Sequence, residues 1–358
     1  MNFPSQFLPV GAALCRESNQ ASRHKAAPTV FGLAALLAVA FLTGCGKNAA
    51  EPASGVPTAL VKVRFQTDWF PQPEHGGYYQ ALAKGYYAAE GLDVEIIPGG
   101  PNAQVMAKVA TGRADLGMTN GDDVIVAVAR GVPLKMVAAE MQRDAQGIMF
   151  HEEHPVASLR DLNGRTVMAG AGSVWIKVLE KKLGVRFNLL PLAGDLARFM
   201  NDQNFVQQCF VTNEPYFARR RGANVGAILI ASDDYAPYRV MFASNAYLAK
   251  RPDVVRRFVR ASVKGWTDYL TGDPAPANAL LKKLRPDLPD DFFASSIRAM
   301  NDYRLVAGDP QRGERIGLLT PARIEKQIGL LREVGVLDKP VAVGDVATFE
   351  FLPQQTGK

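Results

Sequence analysis

Between Leu60 and Pro353 the hydrophobic positions follow two periods. Alternating or unbroken apolar runs predict strands at Val61–Phe65, Leu92–Ile97, Asp115–Met118, Leu134–Ala139, Ile148–Phe150, Thr166–Ala169, Val225–Ala231 and Val240–Ala243. Apolar residues every third or fourth position predict the helices between them. The first carries Tyr78, Tyr79, Leu82 and Tyr86 and stops at Gly91. The next three are Asn102–Thr111, Asp122–Ala129 (stopped by Gly131 and Pro133) and Val174–Leu183. From Pro252 the pattern is helical, over Asp253–Leu270, Ala275–Leu284, Asp290–Asp302 and Thr320–Val334. Repeated strand–helix–strand order predicts α/β architecture, with mainly parallel strands and helices on both faces. The length exceeds one comfortable core and predicts two lobes. No internal repeat is visible.

The pattern upstream is different. Val30–Leu42 (VFGLAALLAVAFL) is apolar throughout and follows Arg23, His24 and Lys25. A spanning helix needs about 20 apolar residues, so this run reads as the core of a signal peptide. It ends in Leu42-Thr43-Gly44-Cys45, which resembles a bacterial lipobox with Cys45 as the lipid acceptor. The expected organisation is a lipoprotein signal over residues 1–44 and a flexible tether over 45–59, rich in Ala, Pro, Ser and Gly. The chain is then expected in the cell envelope, lipid-anchored on the extracytoplasmic face of the membrane. Cys15 lies in the leader and Cys209 stands alone, so no disulfide framework is available. Of the net charge of +6, two units come from the leader, and the remaining basic residues are scattered apart from Arg219–Arg221. Nothing in that distribution suggests a nucleic-acid partner.

Candidate chemistry gathers at the turns that follow predicted strands, where ligands bind in open α/β sheets. After the first strand come Trp69, held near Pro71, and His75 before Gly76-Gly77. Trp69 offers a stacking platform for a flat ring, or caps the core edge. His75 can exchange hydrogen bonds near neutral pH, or simply face solvent. Of Tyr78 and Tyr79 one packs in the core, and Tyr78 is nearer the turn. Asn120, Asp122 and Asp123 form the next such turn; capping explains one of them, and the rest suit amino-group donors on a ligand. Gly172-Ser173 opens a helix and offers N–H groups and a hydroxyl. Trp175, one residue inside, either closes over a ring or packs between lobes. Asn213-Glu214-Pro215 starts a helix and serves as a cap. His151 and His154 straddle two glutamates, but the segment reads as a polar loop rather than a metal pair. No metal or cofactor is implied.

The ordered series DWFP, GYYAAEGLDVEI, GRADLGMTN, GVPLKMVAA, SLRDLNGRTV and NAYLAKRPDVVRRFVRA resembles one branch of the ABC-transporter solute-binding proteins. That branch holds taurine, alkanesulfonate and thiamine-pyrimidine binders together with the thiamine-pyrimidine synthases. The resemblance spans Leu60 to about Leu337, and Trp69-Phe70-Pro71 points toward the pyrimidine-binding group. It implies a type II periplasmic-binding-protein fold of two Rossmann-like lobes joined by a two-stranded hinge. Lobe I would be residues 60–143 and 240–358, and lobe II 144–239. It also implies that Glu214 occupies an acidic ligand-facing position, suited to the amidine-like edge of an aminopyrimidine.

The synthases of this branch carry a lysine and a histidine where this chain has Thr119 and Asp123. They also carry a cysteine cluster where it reads YAPYRVMFASN. An enzyme is therefore disfavoured. The expected function is ligand capture by hinge closure for an ABC permease and ATPase, by a monomer. The expected ligand is an aminopyrimidine thiamine precursor. Riboflavin follows it, and sulfonates or nitrate rank lower because Asp122, Asp123 and Glu214 would repel anions. A sensory or scaffold lipoprotein is the alternative of another class.

Overall fold

The computed structural model describes residues 59–192, 195–232 and 235–352. The expected signal peptide, Cys45 and the tether up to residue 58 lie outside them. Among the described residues no helix is long and apolar enough to cross a membrane.

Ten strands form two five-stranded sheets. The first sheet uses β1 (Val61–Gln66), β2 (Leu92–Ile97), β3 (Leu116–Asn120), β4 (Leu134–Met141) and β10 (Arg239–Ser244), in the order β2-β1-β3-β10-β4. The second uses β5 (Gln146–His151), β6 (Thr166–Ala169), β7 (Asn188–Pro191), β8 (Val206–Phe210) and β9 (Val225–Leu229), in the order β7-β6-β8-β5-β9. The two orders are the same pattern, a structural repeat that the sequence does not display. Neither sheet is purely parallel: β10 runs antiparallel to β3 and β4, and β5 runs antiparallel to β8 and β9. The reason lies in the connections. The chain passes directly from β4 to β5 and from β9 to β10. An incoming strand starts at the edge where its predecessor ended, so it opposes its new neighbours. Arg239 and Gln146, the first residues of these two strands, thereby sit beside the carboxyl ends of the others.

Two strands escape the hydrophobic pattern. In β8 (VQQCF) Gln207 and Gln208 interrupt the apolar run, and β7 (NLLP) is a four-residue, largely exposed edge strand ending in proline. The first predicted helix is two, α1 (Gly76–Ala83) and α2 (Tyr86–Ala89), because Gly85 takes φ +69° between them. Further on lie α3 (Val105–Ala110), α4 (Gly121–Ala129) and α5 (Val174–Val178), which widens into a π-type turn over Leu179–Leu183. Next come α6 (Ala197–Asn201), α7 (Glu214–Arg220) and α8 (Asn245–Lys250).

The long helix α9 (Pro252–Thr271) buries one stripe, Val254, Val255, Phe258, Val259, Ser262, Gly265, Trp266 and Tyr269, against α1 and α2. Tyr87 stacks on Phe258 at 5.3 Å and shares a 2.9 Å hydrogen bond with Ser262. Then follow α10 (Ala275–Leu284), α11 (Asp290–Asp302), α12 (Pro321–Glu333) and α13 (Val343–Val346). On α12, Ile324, Ile328 and Leu331 join the apolar cluster beneath the first sheet, while Leu330 joins that of the second. Arg323 of α12 donates to the carbonyls of Gln142 and Ala236, the latter at 2.8 Å, and lies 3.8 Å from the Tyr238 ring. One side chain thereby ties together both passages between the sheets.

Candidate functional site

Arg239 organises the carboxyl edge of the first sheet. It stands opposite Asn120 and Met141 in the strand registers. Its guanidinium donates to Asn120 Oδ1 at 3.0 Å and to Asp68, and its Nε lies 3.7 Å from Glu140 Oε2. The Arg239 side chain is 5% exposed and that of Glu140 0%. His75 Nε2 lies 3.4 Å from Asp68 Oδ1. From the second sheet, the Phe210 ring sits 5.6 Å from the guanidinium. Burial is the largest single influence and works to raise Asp68, but the charges and hydrogen bonds of Arg239 and His75 together outweigh it and hold that carboxyl below the usual carboxylate range. Glu140 receives too little compensation, so burial drives it well above that range. Arg239 with Asp68 is thus a committed ion pair, surrounded by carboxyls that favour the protonated form.

Across the gap, Thr212 donates to Glu74, and Asn213 Nδ2 donates to Gln72 Oε1 at 3.0 Å. These bonds join the loop after β8 to the loop after β1. Asp122 Oδ2 accepts from Tyr235 at 2.6 Å, on the passage leading to β10. Asp123 lies beside Thr119 at 3.5 Å. Burial raises Asp122 to about 7, and burial with the charge of Asp144 raises Asp123 to about 6. Glu214 rises to about 7 through burial, partly offset by the Phe210 N–H that donates to it at 2.7 Å. Several atoms here are buried with no hydrogen-bond partner in the protein: Gln72 Nε2, Glu74 Oε2, His75 Nδ1, Asp122 Oδ1 and both Glu140 oxygens, of which Oε2 has only the 3.7 Å ion pair with Arg239. An orphaned buried polar atom costs about 1–3 kcal/mol, so this concentration singles the network out as the candidate site.

The sequence candidates fall into distinct settings. His75, Asn120, Asp122, Asp123 and Asn213 lie in or beside this network. Asn120 and Asn213 do not cap their helices through their side chains; both reach sideways, to Arg239 and Gln72. Ser173 Oγ donates to the Gly170 carbonyl at 2.8 Å. Glu214 is turned back onto its own loop. Trp69 is 38% exposed and meets Phe70 edge-on at 5.5 Å, with its carbonyl held by Gly99 N–H.

Two candidates pack among core residues, each with its polar side-chain atom buried and without a hydrogen-bond partner. Tyr78 is wholly buried, with its ring 4.5 Å from Phe65 and 5.8 Å from Trp266. Trp175 is 2% exposed and packs on Phe187 at 6.0 Å. In both cases the helical stripe facing the sheet claims the large ring. Gly76 and Gly77 likewise serve packing, since a Cβ on either would strike Tyr269 or Trp266. His151 stacks on Phe199 at 4.2 Å, and among the described residues no cluster is suited to hold a metal ion.

Sequence reasoning missed Asp68, Gln72, Glu74, Glu140, Thr212 and Arg239. The signal was available for two of them. A glutamate within VAAEM and an arginine leading RVMFAS are charges in otherwise apolar strands. Burial raises Asp122 and Glu214 above the usual carboxylate range, and the Arg239 cation of the network is paired with Asp68.

A cavity of about 270 Å³ opens between α4 and the turn before α5, lined in part by Asp123, Val126, Arg130, Gly172, Lys177 and Val336. A larger groove of about 560 Å³, among Glu153, His154, Arg165 and Arg198, holds none of the converging residues. The smaller one meets the network at Asp123.

Residues 72–277 match the family described as NMT1/THI5 like. The chain is 26% identical over 361 residues to riboflavin-binding protein RibY of Chloroflexus aurantiacus, covering 89% of this chain and 96% of that protein. It is 26% identical over 265 residues to a formylaminopyrimidine-binding protein of Halalkalibacterium halodurans, covering 69% and 76%. It is also 25% identical over 291 residues to a 4-amino-5-hydroxymethyl-2-methylpyrimidine phosphate synthase of Saccharomyces cerevisiae, covering 73% and 84%. Among solved structures, the periplasmic aliphatic sulphonate binding protein SsuA of Escherichia coli superposes with a TM-score of 0.58 at 17% identity, covering 83% of this chain and 94% of that one. The fold is that of the periplasmic binding proteins.

Proposed function

The chain belongs to the NMT1/THI5-like family, and on that premise we propose that it is the solute-binding component of an ABC-type importer. Its ligand is a small, flat nitrogenous heteroaromatic held between the two sheets. One observation carries the reading. Carboxyl edges of both sheets converge on a buried network joined across the gap by Thr212–Glu74 and Asn213–Gln72, and several of its polar atoms lack partners. Neutral carboxyls and amides, which both donate and accept, suit a ring edge that does the same. Trp69 at the rim supplies a stacking surface.

An aminopyrimidine is the first ligand and a flavin the second. The flavin reading is supported by similarity to RibY over nearly the full length of that protein. The chain is not an enzyme in this reading, because Thr119 and Asp123 stand where the synthase resemblance expects a lysine and a histidine. The lobes run over residues 60–143 with 240–358, and over 144–239. Cys45 carries the lipid that holds the protein at the membrane, beside its permease and ATPase.

Isothermal titration with riboflavin and with 4-amino-5-hydroxymethyl-2-methylpyrimidine tests the assignment. One of them binds the wild type, and Asn120→Ala and Asn213→Ala each weaken it about tenfold, as removal of a buried hydrogen-bonding group does. Unchanged affinity in both variants would remove the site from this network. Failure of every heteroaromatic to bind would remove the ligand class.

A further inference from the structure

The cavity beside Asp123 has a charge pattern unlike the network behind it. Arg130 follows the last turn of α4, and Lys177 lies on α5, so the two cations reach one space from helices that serve different sheets. Neither has an ion-pair partner among the described residues. Val126 and Val336 supply apolar wall between them, and Gly172 leaves the turn before α5 bare. Both side chains are exposed, and both line this one space. Their common target is an oxyanion. The same cavity is lined by Asp123, which lies beside Thr119, one residue before the Asn120 that pairs with Arg239.

We propose that Arg130 and Lys177 form an anion subsite at the mouth of the cleft, so that the ligand is a nitrogenous ring bearing a phosphate or carboxylate substituent. The ring lies toward Asp123 and Asn120, and its anionic arm lies between the two cations. Because one cation comes from each half, the arm also ties the halves together. This inference rests on the heteroaromatic reading given above and narrows it.

Paired ligands that differ only in the anion test it: riboflavin against riboflavin 5′-phosphate, and 4-amino-5-hydroxymethyl-2-methylpyrimidine against its phosphate, by isothermal titration at low and high salt. In at least one pair the phosphorylated member binds the wild type about tenfold tighter or more, and the preference shrinks as salt screens the charges. In the double variant Arg130→Gln/Lys177→Gln the preference collapses to about one. Lys177→Glu reverses it, which separates a charge effect from a loss of packing. Equal affinity within both pairs, or a preference that survives the double variant, overturns the subsite and leaves the heteroaromatic reading standing. If no member of either pair binds, both readings fall together.

Discussion

Asp122 shows how a single residue can be misjudged from its neighbours in sequence. Its place at the start of α4 suggests a cap or a ligand anion, yet its carboxyl is buried against Tyr235 and raised to about 7. The sign of the consequence follows from linkage. Between about pH 4 and pH 7 the unfolded chain releases a proton that the folded chain keeps, so stability falls as pH rises through that window. Asp122→Asn removes the penalty while keeping an acceptor for Tyr235. It should unfold at higher urea than the wild type at pH 8, by an amount on the order of 2–4 kcal/mol, and show little advantage at pH 4.5. A variant less stable than the wild type at pH 8 would mean that the carboxylate form is needed. Asn120 and Asn213 drew notice in the sequence because they stand at strand-to-helix turns, and instead of capping those helices their side chains reach Arg239 and Gln72. Asp68 gave no such signal, since its meaning depends on Arg239, distant in sequence and brought beside it only by the reversed strand β10.

At the scale of elements, most helices were legible because their apolar stripes repeat at helical spacing. The ends of α10 and α11 agree with the pattern to the residue. β8 was hidden because its glutamines face a network rather than a core: Gln208 accepts from Gly170 N–H at 3.0 Å and donates to Gln146 at 3.1 Å. The contact of α1 with α9 was hidden for another reason, being made through glycine. A Cβ on Gly265 would lie 2.2 Å from the Gly77 carbonyl oxygen and 2.7 Å from Ala81 Cβ, so the helices approach to backbone distance. Gly265→Ala should therefore destabilise by about 1–3 kcal/mol despite the better helix propensity of alanine, because the overlap is with backbone and cannot be relieved by a rotamer. Chemical denaturation checks this, and an unchanged or raised midpoint would show that the pair can separate freely.

For the whole molecule the question is what holds two sheets in register when only two passages connect them. Interface bonds such as Thr212–Glu74, Asn213–Gln72 and the 2.7 Å pair Lys182–Glu333 belong to the arrangement seen here. Ligand binding favours that arrangement only to the extent that it adds contacts the separated halves lack. Arg323 acts on the passages themselves, bonding the Gln142 and Ala236 carbonyls while Glu314 accepts from its Nη1 at 3.2 Å. It thus couples the two passages, and in the proposed hinge closure coupled strands would move about one axis instead of two. Loss of hydrogen bonds from a charged donor costs about 1.5–3 kcal/mol each, although water recovers part of that at a half-buried position. Arg323→Gln should leave both sheets folded yet speed amide exchange selectively at residues 142–146 and 235–239. Apparent ligand affinity should fall several-fold, because the competent arrangement is a smaller share of the population. Exchange mass spectrometry with a parallel titration reads both effects. Faster exchange spread evenly over the two sheets would instead make Arg323 an ordinary stabilising contact, and unchanged exchange at the passages would deny it any part in the hinge.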